Sequence, residues 1–314
     1  MRTVITGGAG FIGANLARTM VADGLDVVVV DDLSTGTLSN LAGVEVAFHE
    51  GSVLDPQLLD GAFAGADAVV HLAALPSVPR SLLDPRASHH ANATGTLEVL
   101  EAVRRAGGPH LVVASSSSVY GANPTMPKHE DMRTAPLSPY AVSKLATEAY
   151  TLAYHHSFGL DVLPFRFFNV FGPLQPAGHA YAAVVPAFVD AALAGKSIPV
   201  QGDGTQTRDF TFVGSVARVI TDAVTRRVAS TEPVNLAFGG RTSLNELIGI
   251  VEGIVGRSLD RETLPPRAGD VPHSQADSSR LTSLFPDVDP VPLDEGVAAT
   301  VQWFEEMRRT TARV

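Results

Sequence analysis

The sequence predicts an α/β protein built on a doubly wound parallel sheet, with a smaller α/β unit attached, and three observations carry that prediction. A short β-type run, Arg2–Thr6, ends in the glycine loop Gly7-Gly8-Ala9-Gly10-Phe11-Ile12-Gly13, and an amphipathic helix is expected over about 14–23. Strand-like runs then recur at 26–32, 44–50, 68–73, 110–115 and 162–166, separated by helical stretches such as 92–105 and 140–156. That alternation is the pattern of parallel strands joined by crossover helices. Finally, 314 residues with 45% apolar content can bury a sizeable core and suffice for one large or two modest domains.

The first strand, loop and helix supply the context that a dinucleotide needs. Gly7, Gly10 and Gly13 permit a tight turn, close approach of backbone N–H groups to a pyrophosphate, and close packing of helix on strand. The second strand ends in Asp31-Asp32, where the ribose of the adenosine would lie. A carboxylate there accepts hydrogen bonds from both ribose hydroxyls and repels a 2′-phosphate, so NAD is favoured over NADP.

A second constellation begins at Leu137-Ser138-Pro139-Tyr140-Ala141-Val142-Ser143-Lys144. Ser138 is a good N-cap and Pro139 suits the first helical position. Tyr140 and Lys144, four residues apart, then share one face of a helix near its positive end. A phenol loses its proton near pH 10. A neighbouring ammonium and the helix terminus both favour the anion, so Tyr140 is expected to serve as a base near neutrality.

Composition excludes several classes. The net charge of −10, with no long Lys or Arg run, argues against nucleic acid or anionic membrane as a general partner. No cysteine is present, so disulfides, thiolate metal sites and a cysteine nucleophile are ruled out. The chain starts directly on a strand and no apolar run approaches the ~20 residues of a membrane span, so a cytoplasmic protein is expected. His89-His90 and His155-His156 lack metal-ligand company and are expected on helix surfaces or an interface, and no metal is expected.

Motifs along nearly the whole chain carry a family resemblance. They are Thr6-Gly-Gly-Ala-Gly-Phe-Ile-Gly13, Asp31-Asp-Leu-Ser-Thr-Gly36, His71-Leu-Ala-Ala74, Ser115-Ser-Ser-Ser-Val-Tyr-Gly121, Tyr140-Ala-Val-Ser-Lys144, Arg166-Phe-Phe-Asn-Val170, Gly202-Asp-Gly204 with Arg208-Asp-Phe210, and Arg267-Ala-Gly-Asp270. The sequence resembles the extended short-chain dehydrogenases/reductases, within the NAD-dependent sugar-nucleotide epimerase/dehydratase group. One departure shows: the family usually has Gly-Asp after the third strand, whereas Ser52 follows Gly51 here. A serine still reaches an adenine amino group, so NAD is kept with a changed contact.

The resemblance implies roles residue by residue. Gly7, Gly10, Phe11, Ile12, Gly13, Asp31, Asp32, Ser34, Thr35, Gly36, Ser52, Val53, Leu72, Ala73, Ala74, Asn92 and Phe168 would surround the cofactor, together with Tyr140 and Lys144. Ser116 matches the catalytic Ser/Thr and would hold the substrate's 4-oxygen beside Tyr140, with Ser117 alongside. Asn169, Val184, Val185, Pro199 and Gln201 would meet the nucleotide sugar. Arg208 and Arg267 match pyrophosphate-binding arginines, whose planar fork suits a diphosphate better than lysine does. Asp270 would hold the nucleotide ribose. The resemblance also implies an NAD-binding domain of 1–168 plus about 206–238, a nucleotide-sugar-binding domain of about 169–205 plus 239–314, and a homodimer paired through the helices near 92–105 and 140–156.

The implied reaction is reversible inversion at C4 of a UDP-hexose through a transient 4-ketose. Dehydratases of the group carry Asp-Glu after the catalytic Ser/Thr; Ser117 and Ser118 stand there instead, which favours epimerisation. Ser274 is small at the position that limits space near the sugar's C2 substituent, and the surrounding run most resembles UDP-N-acetylglucosamine 4-epimerases. UDP-glucose is the runner-up substrate, then UDP-glucuronate, and a non-catalytic NAD-binding scaffold is disfavoured because Ser116, Tyr140 and Lys144 are all present.

Overall fold

The computed structural model describes residues 1–177, 183–265 and 273–311, so Arg267, Asp270 and Tyr181 lie outside the described residues. Among the described residues thirteen strands run in chain order. Six are β1 (Arg2–Thr6), β2 (Asp26–Asp31), β3 (Ala47–Glu50), β4 (Ala68–His71), β5 (His110–Ser116) and β6 (Val162–Phe167). Then come β7 (Val170–Phe171), β8 (Ile198–Gln201), β9 (Thr207–Arg208), β10 (Thr211–Phe212), β11 (Val234–Leu236), β12 (Thr242–Ser243) and β13 (Arg261–Leu264). The main sheet has the order β11-β6-β5-β4-β1-β2-β3 and is parallel throughout. From β1 the chain winds first to β2 on one side and later to β4 on the other. The crevice at the carboxyl ends of β1 and β4 is therefore the switch point at which such sheets take ligands.

Alternation along the strands feeds two cores. Ile5, Val29, Val70 and Val112 face α1 (Phe11–Ala22) and a later helix that carries Val216 and Ile220. Their neighbours Val4, Val28, Val69 and Val113 face α2 (Pro56–Phe63) and the helix that carries Val99 and Val103. A period of two on a sheet covered on both faces explains why these strands read as unbroken apolar runs.

The helix expected over 92–105 is interrupted. After α3 (Val78–Leu83) and α4 (Pro85–His89), residues His90–Thr94 take π geometry, and α5 (Gly95–Arg105) follows. The Thr96 and Thr147 hydroxyls both donate to the Asn92 carbonyl, at 2.6 and 3.3 Å, and so compete for it with the helical ladder. The helix bearing Tyr140 is α6 (Pro139–Phe158); its N-cap Ser138 accepts from the Ala141 amide at 3.1 Å and Gly159 ends it in the left-handed region.

Beyond β6 a separate core forms around α7 (Val184–Leu193), where Val185, Phe188 and Val189 meet Leu247, Val251, Val297 and Phe304. The chain returns to the main sheet through α8 (Val213–Arg226) and β11 rather than from residue 206, because Thr207 and Arg208 pair with Thr242 and Ser243 instead. After α9 (Leu244–Val255) it returns again: α10 (Ser279–Leu284) sends Leu281 and the following Phe285 into the first core, a segment expected in the second unit. α11 (Leu293–Thr311) completes the smaller core. Among the described residues no helix is long and apolar enough to cross a membrane.

Candidate active site

At the switch point the glycine loop leaves β1 and enters α1 at Phe11, earlier than expected, so Phe11 and Ile12 occupy the first turn. Gly10 is the N-cap and makes no side-chain capping bond, which leaves the first-turn amides facing the crevice as a site for an anion. The packing is glycine-dependent at two positions. A Cβ on Gly13 would come within 2.3 Å of the Gly7 carbonyl oxygen, and one on Gly7, at φ +70°, within 2.7 Å of the Ala73 nitrogen. The cradle thus fits a pyrophosphate that needs close backbone approach.

Asp31 is almost fully buried, 7% exposed, and accepts from the Ala9 amide at 2.9 Å and the Leu33 amide at 2.8 Å. Burial pushes its carboxyl up, against the pull of those two amides. The carboxylate therefore ties the glycine loop to the end of β2 and keeps lone pairs for a ribose. Asp32 is exposed beside it, with Ser34 and Thr35, while Gly36 packs against Ala9. Leu72, Ala73 and Ala74 are half-buried across the crevice, and Ala73 donates to Thr6 Oγ1 at 3.3 Å.

Several expected contacts are corrected. Phe168 is wholly buried and packs with Val119, Tyr120 and Ala237, so its ring cannot reach a cofactor. Asn92 is 1% exposed; its Oδ1 accepts from the Leu75 amide at 2.7 Å and its Nδ2 donates to Ser143 Oγ at 2.9 Å, which makes it a brace between the crevice wall and α6. Val53 lies in the second core, and Ser52 Oγ accepts from the Leu54 amide at 3.2 Å, so the hydroxyl expected to face an adenine caps its own turn.

Ser116 ends β5, and Tyr140 and Lys144 come from the first turns of α6, which packs on that strand. Burial pushes the Tyr140 phenol up, with the Ser116 hydroxyl pulling it back. Burial pushes the Lys144 ammonium down to about 8. Its Nζ donates to the Ala114 carbonyl at 2.8 Å. Desolvation is thus the larger influence on the phenol, and the group that opposes it is the Ser116 hydroxyl, not the lysine or helix end from which a lowering is expected. His71, at the end of β4, is held down to about 3 by burial and then by the Lys144 charge, between Thr6 and Thr96.

Beneath this trio lies a buried ion pair. Arg166 and Glu148 approach to 2.6 Å with side chains 4% and 5% exposed, and Ser115 Oγ donates to the same carboxylate at 2.9 Å. Arg166 also stacks on Tyr120, whose hydroxyl donates to Asn235 at 2.6 Å. The pair locks α6 to β5 and β6 and so fixes the spacing between Ser116 and Tyr140.

A cleft of about 550 Å³ is lined by Asn169, Val184, Val185, Pro199, Gln201 and Arg208, all expected from the sequence. Ser77, Gln206 and Phe210 also line it and were not expected. Ser77 sits at φ +116°, rare for a residue with a side chain, and such strain concentrates at functional sites. Pro76 and Pro79 around it were the one available signal. Ser274 is buried and does not line the cleft; its amide donates to the Thr207 carbonyl at 3.0 Å, next to Arg208. Among the described residues no cluster suited to a metal ion occurs.

A switch-point cradle for a dinucleotide, with a serine, a tyrosine and a lysine at its mouth, defines a dinucleotide-dependent enzyme that moves hydride. Residues 3–237 match the NAD dependent epimerase/dehydratase family, and the chain belongs to it. Its cofactor is NAD. The chain is 39% identical to UDP-glucose 4-epimerase of Mycolicibacterium smegmatis, over 97% of this chain and 98% of that one. It superposes with TM-score 0.92 and 35% identity on UDP-N-acetylglucosamine 4-epimerase from Methanobrevibacter ruminantium in complex with UDP-N-acetylmuramic acid, covering 98% of each chain. With Thermus thermophilus UDP-glucose 4-epimerase in complex with NAD the TM-score is 0.87 at 34% identity, covering 97% and 99%.

Proposed function

We propose that the protein is a UDP-sugar 4-epimerase that inverts C4 of a UDP-hexose, with UDP-GlcNAc and UDP-GalNAc as the favoured pair and UDP-glucose and UDP-galactose as the second. The observation that carries the reading is the union of Ser116, Tyr140 and Lys144 at the mouth of the dinucleotide crevice, beside a cleft containing Arg208. The relatives' names support the reaction.

Bound NAD supplies the hydride acceptor, then the donor, and in its oxidised form a positive charge. Tyr140 takes the proton of the 4-hydroxyl as C4 becomes a carbonyl, and gives it back on return. Ser116 donates a hydrogen bond to the 4-oxygen in both directions. Lys144 would hold the ribose of the nicotinamide. Arg208, with Arg267 and Asp270, would anchor the UDP while the 4-ketose turns to present its opposite face. No acid/base pair for dehydration follows Ser116, since Ser117 and Ser118 are hydroxyls. Ser274, small and buried behind the cleft wall with its amide on the Thr207 carbonyl beside Arg208, is the residue to which we assign the room at C2.

The test is to incubate the protein separately with UDP-GlcNAc, UDP-glucose and UDP-glucuronate and follow the anomeric protons by NMR. Conversion of UDP-GlcNAc to its 4-epimer is expected. Conversion of UDP-glucuronate alone would transfer the substrate assignment to the acidic sugar. We also propose a homodimer through the outer face of α6, where Val142, Ala149, Tyr150 and Ala153 are exposed. Sedimentation at micromolar concentration should find no monomer as the main species.

A further inference from the structure

A serine hydroxyl has one hydrogen to donate and two lone pairs that accept. At Ser116 both lone pairs are engaged by one neighbour: the Ser118 amide donates to Ser116 Oγ at 3.2 Å and the Ser118 hydroxyl donates to it at 2.9 Å. The arrangement is built into the turn, because Ser116 is the N-cap of the 3-10 segment Ser117–Tyr120 that follows β5. The far end of that segment is pinned by buried Val119 and by the bond from Tyr120 to Asn235. What remains on Ser116 is its own hydrogen, and Tyr140 is the neighbour whose phenol that hydroxyl pulls down.

We propose that Ser118 is a positioning residue: its hydroxyl fixes Ser116 as a donor toward the Tyr140 oxygen and the sugar's 4-oxygen, and prevents Ser116 from accepting from either. The inference rests on the 4-epimerase reading and adds to it a residue that need touch neither substrate nor cofactor. Its consequence is directional. A donor at the phenol oxygen stabilises the phenolate, and a donor that itself accepts two bonds is the stronger for it. Remove the Ser118 hydroxyl, and a lone pair of Ser116 is released. The serine then turns to accept the phenol's hydrogen, which stabilises the neutral phenol.

The titratable and charged groups on the surrounding elements are bonded elsewhere and stay in place. Lys144 on α6 holds the Ala114 carbonyl, Glu148 on α6 pairs with Arg166 on β6, His71 on β4 lies between Thr6 and Thr96, and Tyr120 holds Asn235. A shift of the phenol on substitution of Ser118 is therefore carried by Ser116.

The test uses NAD-loaded wild type, Ser118→Ala and Ser118→Thr. The Tyr140 phenol is titrated by ultraviolet difference spectroscopy against Tyr140→Phe as blank, and kcat and KM are measured across pH with UDP-GlcNAc and UDP-glucose. Ser118→Ala should raise the phenol pKa by about half to one unit, which lowers kcat roughly three- to tenfold near neutrality. KM should stay within about twofold, and activity should recover as pH rises, because a higher pH ionises the phenol whose pKa the substitution has raised. Ser118→Thr, which keeps the hydroxyl, should match wild type. The proposal is overturned if Ser118→Ala titrates and turns over as wild type does. A loss that is independent of pH, shared by KM and NAD content, or unrelieved by threonine overturns it too. Wild type that acts on no UDP-sugar would sink the 4-epimerase reading alone, since the phenol titration reads Ser118 without substrate.

Discussion

The part of the molecule that carries the glycine-loop crevice and the part that carries the cleft with Arg208 are held together differently. Gly7, Asp31, Ala73 and Ser116 all stand at or just beyond the carboxyl ends of strands in one seven-stranded sheet, covered on both faces. Asn169, Gln201, Arg208 and Ser274 stand on or beside strands of two to four residues, each paired with one partner. Their relative places depend on a few single bonds, such as Ser274 to Thr207 and Asn169 Nδ2 to the Asp209 carbonyl at 3.2 Å. A rigid sheet suits a reaction that tolerates little misplacement of hydride, and a lightly tied wall suits a sugar that must turn. Damage to the first half should thus cost rate or stability, and damage to the second should change which sugar is accepted.

Tyr140→Phe is the most severe break on the cofactor side. It should reduce turnover by about 10²–10⁴-fold and leave UDP-sugar binding nearly intact, which kcat and a binding isotherm measure separately. A retained rate would place the base elsewhere. Next comes Glu148→Ala, which strands Arg166 in the interior. Removing one partner of a buried pair costs about 3–5 kcal/mol, so denaturant unfolding should show a loss of that order. An unchanged midpoint would mean that the lock under Ser116, Tyr140 and Lys144 is dispensable.

Ser274→Tyr tests the sugar side. Ser274 is buried behind Arg208, so a tyrosine there must press the wall at Thr207 and Arg208 into the cleft. Such overpacking costs ~1–3 kcal/mol, and activity on the bulkier UDP-GlcNAc should fall about ten- to a hundredfold while UDP-glucose is much less affected. Equal loss on both sugars removes Ser274 as selector. The smallest effect is a pH dependence on the cofactor side. His71 is held down to about 3 when folded and has an ordinary value of 6.5 when unfolded, so the unfolded chain takes up the proton first. Above about 6.5 His71 contributes nothing to the pH slope; below it, stability should fall by up to about 1.4 kcal/mol per pH unit, and His71→Gln should flatten that limb between pH 7 and 5.

The same contrast governs how much the sequence discloses. Glycine spacing, the acid after a buried strand and a tyrosine four residues before a lysine are local patterns, and the sheet places them together as expected. Phe168 and Asn92 sit inside recognisable motifs yet are buried, because a motif fixes position along the chain and not which atom is left uncovered. The π turn at His90–Thr94 depends on Thr147, far away in sequence, and α10 returns to the first core through Leu281 and Phe285 with no periodicity to announce it. Ser77 and Ser118 belong to the same class: one lines the cleft on a backbone twist, the other meets Ser116 through its own amide and hydroxyl.

The central claim is that the hydride C4 loses on oxidation is the one returned to it on reduction. UDP-GlcNAc carrying deuterium at C4, incubated with the NAD-loaded protein in ordinary water, should yield the 4-epimer with the deuterium still at C4, read by NMR and mass spectrometry. An epimer that has exchanged its label for solvent hydrogen, or a 4-keto-6-deoxy sugar as the product, contradicts the account.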